Sequence, residues 1–196
     1  MLIGVLSDTH GRADRATRAV TALRMLGAEA LVHCGDVGTP AVLEALTIRP
    51  AWFVWGNTDD PHALSSHAAA LGLPLPPAGL LLLPTPGLRI AVCHGHEFSF
   101  LQLTRAAAGQ NATSAAAAAE DASGQRQLPQ IVLHGHTHVA ADQTLGTTRF
   151  INPGALQRAS FHSVALLDSL TGEARWWEIR EDSAPAGVPR PLNLRG

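Results

Sequence analysis

The 196-residue chain contains no long hydrophobic run, no cluster of basic residues and only two cysteines. Its N-terminal apolar run extends only from Leu2 to Leu6, no basic residue precedes it, and the carboxylate of Asp8 follows it. A signal peptide has a basic segment and a longer apolar core, and a membrane-spanning helix needs about 20 apolar residues. We therefore expect a cytoplasmic protein that does not enter a membrane.

The charged residues argue against one class of partner. Lys and Arg number 14, Asp and Glu number 16, and the net charge is −2. Non-specific binding to DNA or RNA requires basic residues on one surface, whereas here they are scattered, so long nucleic acids are not expected as partners. With 46% hydrophobic residues, the chain is long enough to bury one sizeable core. We expect one domain over residues 1–181, followed over residues 182–196 by a Pro-rich tail that is flexible or docks on a partner.

The two cysteines, Cys34 and Cys93, each end a predicted buried strand close to a candidate metal ligand. They could serve as soft metal ligands or as redox thiols. Buried free cysteines are nevertheless common as small apolar residues, and this packing role is the interpretation we favour.

The first third of the chain alternates between strand and helix patterns. Apolar segments at residues 2–7, 30–34 and 52–55 predict buried strands. The amphipathic segment 13–26 and the segment 40–47, which has a proline in its first turn, predict helices. A β-α-β-α-β order makes the three strands parallel neighbours in one sheet.

The remainder of the chain predicts one more helix and a series of shorter strands. The helix begins near Phe98, and we expect part of the alanine-rich stretch 106–127 to form a mobile surface insertion. The strands are predicted at residues 80–83, 88–93, 131–133, 140–145, 148–151, 162–168 and 174–180. The last three of these strands are separated by turn residues and are expected to be antiparallel.

Seven potential metal ligands directly follow predicted strands. In an open α/β sheet the carboxyl ends of parallel strands border the ligand-binding crevice, so these side chains can converge there. They comprise imidazole, carboxylate and amide groups without a thiolate, a set that favours Mn²⁺, Fe²⁺/³⁺, Zn²⁺, Ni²⁺ or Co²⁺ over Ca²⁺. The candidate ligands are Asp8, His10, Asp36, Asn57, His94, His136 and His138.

The order of these motifs resembles that of the calcineurin-like metallophosphoesterase superfamily, from residue 1 to about 180. The motifs are Asp8-Thr9-His10, Gly35-Asp36, Gly56-Asn57-Thr58-Asp59, His94-Gly95 and Gly135-His136-Thr137-His138. More narrowly, the chain resembles the small single-domain phosphodiesterases of bacteria and archaea, to which the scaffold-like retromer subunit is also related. The resemblance implies an α/β fold with a two-layer β-sandwich flanked by helices (αββα).

The resemblance also implies two metal ions that share one ligand. The first ion would be bound by Asp8, His10, Asp36 and His138, and the second by Asp36, Asn57, His94 and His136. Two divalent transition-metal ions, with Mn²⁺ favoured, can generate a bridging hydroxide and stabilise an in-line phosphoryl transition state. The expected activity is hydrolysis of a small phosphoester, a diester rather than a monoester, in a protein that could form a dimer.

The sequence differs from the wider superfamily at two motifs, and these differences limit the activities to be expected. Many members have a histidine after the asparagine that can protonate the leaving oxygen, whereas this chain has Thr58. Without it, general-acid help of about 10²–10⁴-fold must come from another group or be absent. His96 is the best substitute, with His62 behind it. The sequence after Asp36 also differs from the Asp-Arg-Gly of protein Ser/Thr phosphatases, which argues against that activity.

Several other residues have two interpretations. Asp59 could orient a ligand or substrate, or cap a turn; His33 and His134 could support the ligands, although a role as ordinary strand residues is favoured. The turn that begins at Asn152 could border the site. The alternative function is a non-catalytic, protein-binding scaffold of the same fold. Retention of all seven ligands favours catalysis, and the loops near residues 60–78 and 97–127 would determine specificity.

Overall fold

The computed structural model describes residues 1–47, 50–77, 79–109, 119–120, 126–180 and 189–194. The described helices are α1 (Ala13–Met25), α2 (Pro40–Ala45), α3 (Pro61–Ala70) and α4 (Phe98–Ala107). The first described strands are β1 (Leu2–Leu6), β2 (Ala30–His33), β3 (Ala51–Phe53), β4 (Leu81–Leu82), β5 (Ile90–Val92), β6 (Ala119–Glu120) and β7 (Arg126–Gln127). They are followed by β8 (Ile131–Leu133), β9 (Ala141–Leu145), β10 (Thr148–Asn152), β11 (Ser163–Asp168), β12 (Ala174–Glu178) and β13 (Arg190–Leu192).

The strands form two larger sheets and one short hairpin of β6 and β7. The first sheet has the order β13-β12-β11-β1-β2-β3, and the second has the order β4-β5-β8-β10-β9. Strands β1, β2 and β3 are parallel neighbours, as predicted. Strands β5, β8 and β10 are also parallel, so the second sheet likewise places strand carboxyl ends side by side. Of the last three predicted strands, β11 and β12 pair antiparallel, but β10 belongs to the other sheet.

Side-chain alternation along the strands explains the layered arrangement. Ile3 and Val5 of β1 face the second sheet, where they pack in one apolar cluster with Val92 and Leu133. Leu6 faces the opposite way and packs with the cluster beneath α1, α2 and α3. Helix α4 covers the outer face of the second sheet in a third cluster. The predicted αββα architecture is therefore confirmed, and burial of each large apolar side chain stabilises it by about 1.5–3 kcal/mol.

Two segments differ from our expectations. The expected flexible tail does not hold at residues 190–192, because these residues form β13 and pair antiparallel with β12 at the sheet edge. Residues 181–188, 195 and 196 lie outside the described residues, as do residues 110–118 and 121–125 of the expected insertion. Helix α3 was not predicted, although Pro61 occupies its first turn and the Asp60 side chain accepts hydrogen bonds from the backbone N–H of His62 and Ala63.

The environment of the two cysteines fits the packing interpretation. Cys34 and Cys93 are free, and both are fully buried in apolar clusters. Burial raises the pKa of both thiols well above the usual range, so neither is a thiolate at neutral pH. Separately, none of the helices in the described ranges has the length and apolar character required to span a bilayer.

Candidate metal centre

Four of the predicted ligands form a first cluster at the ends of β1, β2 and β8. The potential ligand atoms of Asp8, His10, Asp36 and His138 all lie within 4.8 Å of one another. The Nε2 atoms of His10 and His138 are 3.3 Å apart, and Nε2 of His138 is 3.2 Å from Oδ1 of Asp8. This is the set that the family resemblance assigns to the first ion.

The other predicted ligands form a second cluster directly beside the first. Oδ1 of Asn57 lies 3.2 Å from Nε2 of His94 and 3.1 Å from Nδ1 of His136. Oδ2 of Asp36 joins the two clusters, because it lies 3.5 Å from Nε2 of His94 and 3.5 Å from Nε2 of His10. One carboxylate oxygen therefore faces ligands of both predicted ions.

The backbone at these ligands has an uncommon conformation. Five of the six non-glycine residues with positive φ among the described residues are predicted ligands: Asp8 (54°), His10 (44°), Asp36 (56°), His136 (69°) and His138 (60°). A left-handed conformation costs a non-glycine residue about 1–3 kcal/mol and persists where surrounding contacts enforce it. Because this costly conformation is concentrated at these five residues, we infer that it directs their side chains toward the two clusters.

Hydrogen bonds between the first two loops hold this conformation. The backbone N–H of Asp8 donates to the carbonyl of Gly35, at 3.0 Å, and that of His10 donates to the carbonyl of Asp36, at 2.9 Å. These bonds extend the pairing of β1 and β2 beyond the ends of both strands. The ligands on the two loops are consequently held at a fixed separation.

His33 belongs to neither cluster, but it forms hydrogen bonds with the same two loops. Its burial lowers its pKa to about 3, so the ring is neutral. Nδ1 accepts a hydrogen bond from the backbone N–H of Gly35, which leaves Nε2 to donate to the Thr9 hydroxyl, 3.0 Å away. The Thr9 hydroxyl lies 3.2 Å from the carbonyl of Asp36, so this histidine positions the ligand loop through the threonine.

The two carboxylates have different pKa values because their surroundings differ. Burial raises the pKa of Asp8 above its usual value. Burial also acts to raise the pKa of Asp36, but hydrogen bonds from His94 and Thr58 outweigh it and bring this pKa well below the usual range. Oδ1 of Asp8 is buried and accepts no hydrogen bond, although Nε2 of His138 is nearby. An unpaired buried carboxylate oxygen is costly, and a cation among these ligands would compensate it.

The histidines also have the arrangement that metal ligands require. His94 donates from Nδ1 to the carbonyl of Cys34, at 2.7 Å, and this bond leaves Nε2 directed at Asp36 and Asn57. Nδ1 of His138 lies 3.3 Å from the carbonyl of Arg158, which likewise leaves its Nε2 for an ion. Such a partner on the second ring nitrogen selects the neutral tautomer and orients the ring. The residues present therefore fit a transition-metal centre.

Asp59, for which the sequence analysis weighed orienting a ligand or substrate against capping a turn, binds the backbone of the ligand loops. Its Oδ2 accepts hydrogen bonds from the N–H of Gly56 at 2.8 Å and Val37 at 3.1 Å, and its Oδ1 accepts from Gly38 at 2.7 Å. Three backbone amides thus occupy both carboxylate oxygens. These contacts favour a positioning role for Asp59 over direct contact with substrate.

Glu97 is a supporting residue that the sequence analysis missed. Its Oε1 and Oε2 accept hydrogen bonds from the backbone N–H of His94 and Gly95, each at 2.7 Å. The signal was present in the sequence, because Glu97 lies three residues after His94, just as Asp59 lies three residues after Gly56. In both loops a carboxylate that closely follows a ligand motif closes the loop.

Asn152 and His134 support the loop that carries the last two histidines. The buried Asn152 side chain donates to the carbonyl of Gly135 at 2.9 Å and to the hydroxyl of Thr137 at 3.1 Å. The turn that begins at Asn152 therefore borders the site, and it also fixes the loop that carries the two histidines. Burial lowers the pKa of His134 to about 4. Its Nδ1 lies 3.4 Å from Nδ2 of Asn152, and it packs behind the loop instead of joining the clusters.

His96 lies at the open side of the second cluster. Its ring centroid is 5.4 Å from that of His94 and 6.1 Å from that of His136, and its side chain is 35% exposed. His62 lies in the first turn of α3 and is exposed. Of the two proposed substitutes for the missing histidine, His96 is therefore the one that the structure places against the predicted ligands.

A two-sheet sandwich with Asp, His and Asn side chains gathered at its strand ends is the arrangement expected of a metal-dependent phosphoesterase. The family model for the calcineurin-like phosphoesterase superfamily domain matches residues 1–172, and the chain belongs to that superfamily. A probable metallophosphoesterase of Methanothermobacter thermautotrophicus is 29% identical over 205 residues, covering 100% of this chain and 99% of the relative.

Solved structures show the same fold at lower identity. An archaeal phosphodiesterase has a TM-score of 0.69 and 22% identity, covering 91% of this chain and 99% of the other. Vps29 of Chaetomium thermophilum has a TM-score of 0.59 and 18% identity, covering 98% of this chain and 95% of the other. The fold is therefore shared by a phosphodiesterase and by Vps29, and the fold alone does not distinguish between them.

We expect a transition metal to stabilise the folded protein strongly. Bound cations would neutralise Asp8 and Asp36, and binding at 100 times the dissociation constant stabilises the native state by about 2.7 kcal/mol. For a chain of this length the melting temperature should rise by roughly 5–11 °C. Thermal melts of metal-free protein with added Mn²⁺ measure this rise, with Ca²⁺ as the control that should give a smaller shift. Equal shifts with both ions would contradict a nitrogen-rich transition-metal site.

Proposed function

We propose that the protein is a dinuclear metal-dependent phosphoesterase that hydrolyses small phosphodiesters, with Mn²⁺ as the preferred ion. The observation that carries this proposal is the position of Oδ2 of Asp36, which lies 3.5 Å from the ligand nitrogens of both His10 and His94. A carboxylate that faces two adjacent ligand sets is the arrangement expected for a pair of ions.

In this proposal the seven side chains hold the ions and align the phosphoryl group. Asp8, His10, Asp36 and His138 would hold one ion, and Asp36, Asn57, His94 and His136 the other. When bound, two divalent ions polarise the phosphoryl oxygens and activate water at neutral pH. The only charges that the predicted ligands contribute are the carboxylates of Asp8 and Asp36, so the loaded site would keep a net positive charge that attracts the phosphate of a substrate.

The leaving group in this site receives less help than in relatives with a histidine after the asparagine. The hydroxyl oxygen of Thr58 lies 3.4 Å from Nδ1 of His10. Thr58 is therefore placed to orient His10. Proton donation is assigned in this proposal to His96, beside the second cluster. Diesters with good leaving groups depend least on such a donor, so they are the substrates expected to turn over fastest.

Metal analysis coupled to hydrolysis tests the proposal. The purified protein should contain roughly two transition-metal ions per chain. It should hydrolyse bis(4-nitrophenyl) phosphate faster than 4-nitrophenyl phosphate, lose activity with a chelator and regain it with Mn²⁺. One ion per chain with full activity would exclude the dinuclear form, and a faster reaction with the monoester would exclude the diester preference.

A protein-binding scaffold is the second candidate function, and the fold shared with Vps29 is the observation that favours it. The same experiment separates the two candidates. Protein that binds no metal and remains inactive after Mn²⁺ is supplied would support the scaffold. We favour catalysis because the ligand atoms of all seven predicted residues lie in the two adjoining clusters.

A further inference from the structure

A recess of about 280 Å³ opens beside the second cluster of the metal centre. Its walls come from residues 54–56 after β3, Pro61 at the start of α3, Pro77, and the pair His96 and Glu97 before α4. These segments include parts of both loops in which the sequence analysis expected specificity to reside.

The recess shares a wall with the predicted ligands. Gly56 directly precedes Asn57 in the chain, and the ring centroid of His96 lies 5.4 Å from that of His94. The recess is therefore within reach of an organic group of a phosphoester held at the second cluster.

The lining combines apolar and polar side chains. Val54, Trp55, Pro61 and Pro77 supply its apolar part, and His96 and Glu97 supply its polar part. The Trp55 ring is partly exposed and is held in an edge-to-face contact with Phe53, with centroids 4.7 Å apart and planes at 80°. A ring fixed in this way presents a rigid surface to a ligand at little cost in conformational entropy.

The charged residues of the recess favour an uncharged occupant over an anionic one. No Lys or Arg occurs among the described residues that line it. Glu97 contributes its negative charge, and its two oxygens already accept hydrogen bonds from the backbone of His94 and Gly95. A second phosphate group would meet the Glu97 carboxylate and find no partner other than the His96 ring, whereas an uncharged ring would displace water from apolar surface.

We propose that this recess binds an uncharged planar ring of the substrate against Trp55, and so selects phosphoesters of aryl alcohols or nucleosides over those of small alkyl alcohols. The inference rests on the proposed phosphoesterase function. The volume of about 280 Å³ lies just below the range of about 300–1,000 Å³ that is typical of pockets for drug-sized ligands. It therefore suits one ring system.

Binding of non-hydrolysable phosphonates to the Mn²⁺-loaded protein tests the recess without turnover. Phenylphosphonate should bind about tenfold more tightly than methylphosphonate, as measured by calorimetry, because only the former carries a ring. Trp55→Leu should abolish this preference and leave the affinity for methylphosphonate unchanged, since the ligands of the phosphate are intact. Trp55→Phe retains a planar ring and should keep most of the preference.

The outcomes separate the recess from the phosphate site. Equal affinities of the two phosphonates for the wild-type protein, or a preference that survives in Trp55→Leu, would overturn the recess while the phosphoesterase proposal stands. Failure of both phosphonates to bind would overturn both proposals. A 5′-phosphonate analogue of thymidine monophosphate distinguishes the source of the ring: a larger Trp55-dependent gain than with phenylphosphonate identifies a nucleobase, and a smaller gain identifies a simple aryl group.

Discussion

Asp36→Asn is expected to reduce turnover of a phosphodiester roughly a thousandfold, because a shared carboxylate contributes several kcal/mol to binding and activating a metal pair and each 1.36 kcal/mol is a factor of ten. The amide would keep the acceptor that receives the backbone N–H of Thr58, at 2.9 Å from Oδ1. It would replace Oδ2, the atom that faces both His10 and His94, by a neutral group. Hydrolysis rates and metal content of the purified variant measure the effect.

Asp60→Asn is the matched control for this change. It removes one carboxylate charge nearby, but Asn can replace Asp as the N-cap of α3, where the side chain accepts hydrogen bonds from His62 and Ala63. This control should retain wild-type turnover and metal content. If Asp36→Asn kept two ions per chain and full activity, the shared position assigned to Asp36 would be wrong. The melting temperature of each metal-free variant should stay near that of metal-free wild type.

The parts of the site that local sequence could predict are those that follow strand ends. Short apolar segments predicted β1, β2 and β3, and parallel neighbours must bring their carboxyl ends together. Asp8 and Asp36 therefore had to lie close to each other once the sheet formed. The αββα fold was expected from the family resemblance, and it is confirmed.

Other features depend on contacts between distant segments and were not predictable in this way. The loop in which His136 and His138 have a left-handed backbone is bound at Gly135 and Thr137 by Asn152, a residue of strand β10. The short strand β13 forms at a sheet edge despite two flanking or internal prolines, because an edge strand needs few of its own N–H donors. The local sequence carries no information about such pairings, because they depend on segments that become neighbours only when the chain folds.

Loop closure by carboxylates lies between these two extremes. Asp59 and Glu97 each follow a ligand motif at short spacing, so the sequence contained the pattern. Whether such a carboxylate faces substrate or backbone depends on which N–H groups the folded loop presents to it. Here each carboxylate accepts backbone amides at both oxygens, and the two loops share one mode of support.

Gly56→Ala is expected to destabilise the protein by about 3 kcal/mol or more, because no room exists for the added methyl group. A Cβ at Gly56 would lie against the backbone nitrogen and Oδ1 of Asp36, well inside van der Waals contact, so the shared ligand itself must shift. Denaturant unfolding should reveal the loss, and Mn²⁺ titration should reveal weaker binding. Gly109→Ala is the control: its φ of +72° strains an added side chain, but nothing lies within 4 Å. That strain should cost about 1–2 kcal/mol and leave Mn²⁺ affinity unchanged. Equal effects of the two substitutions on Mn²⁺ affinity would contradict a tight contact between Gly56 and Asp36.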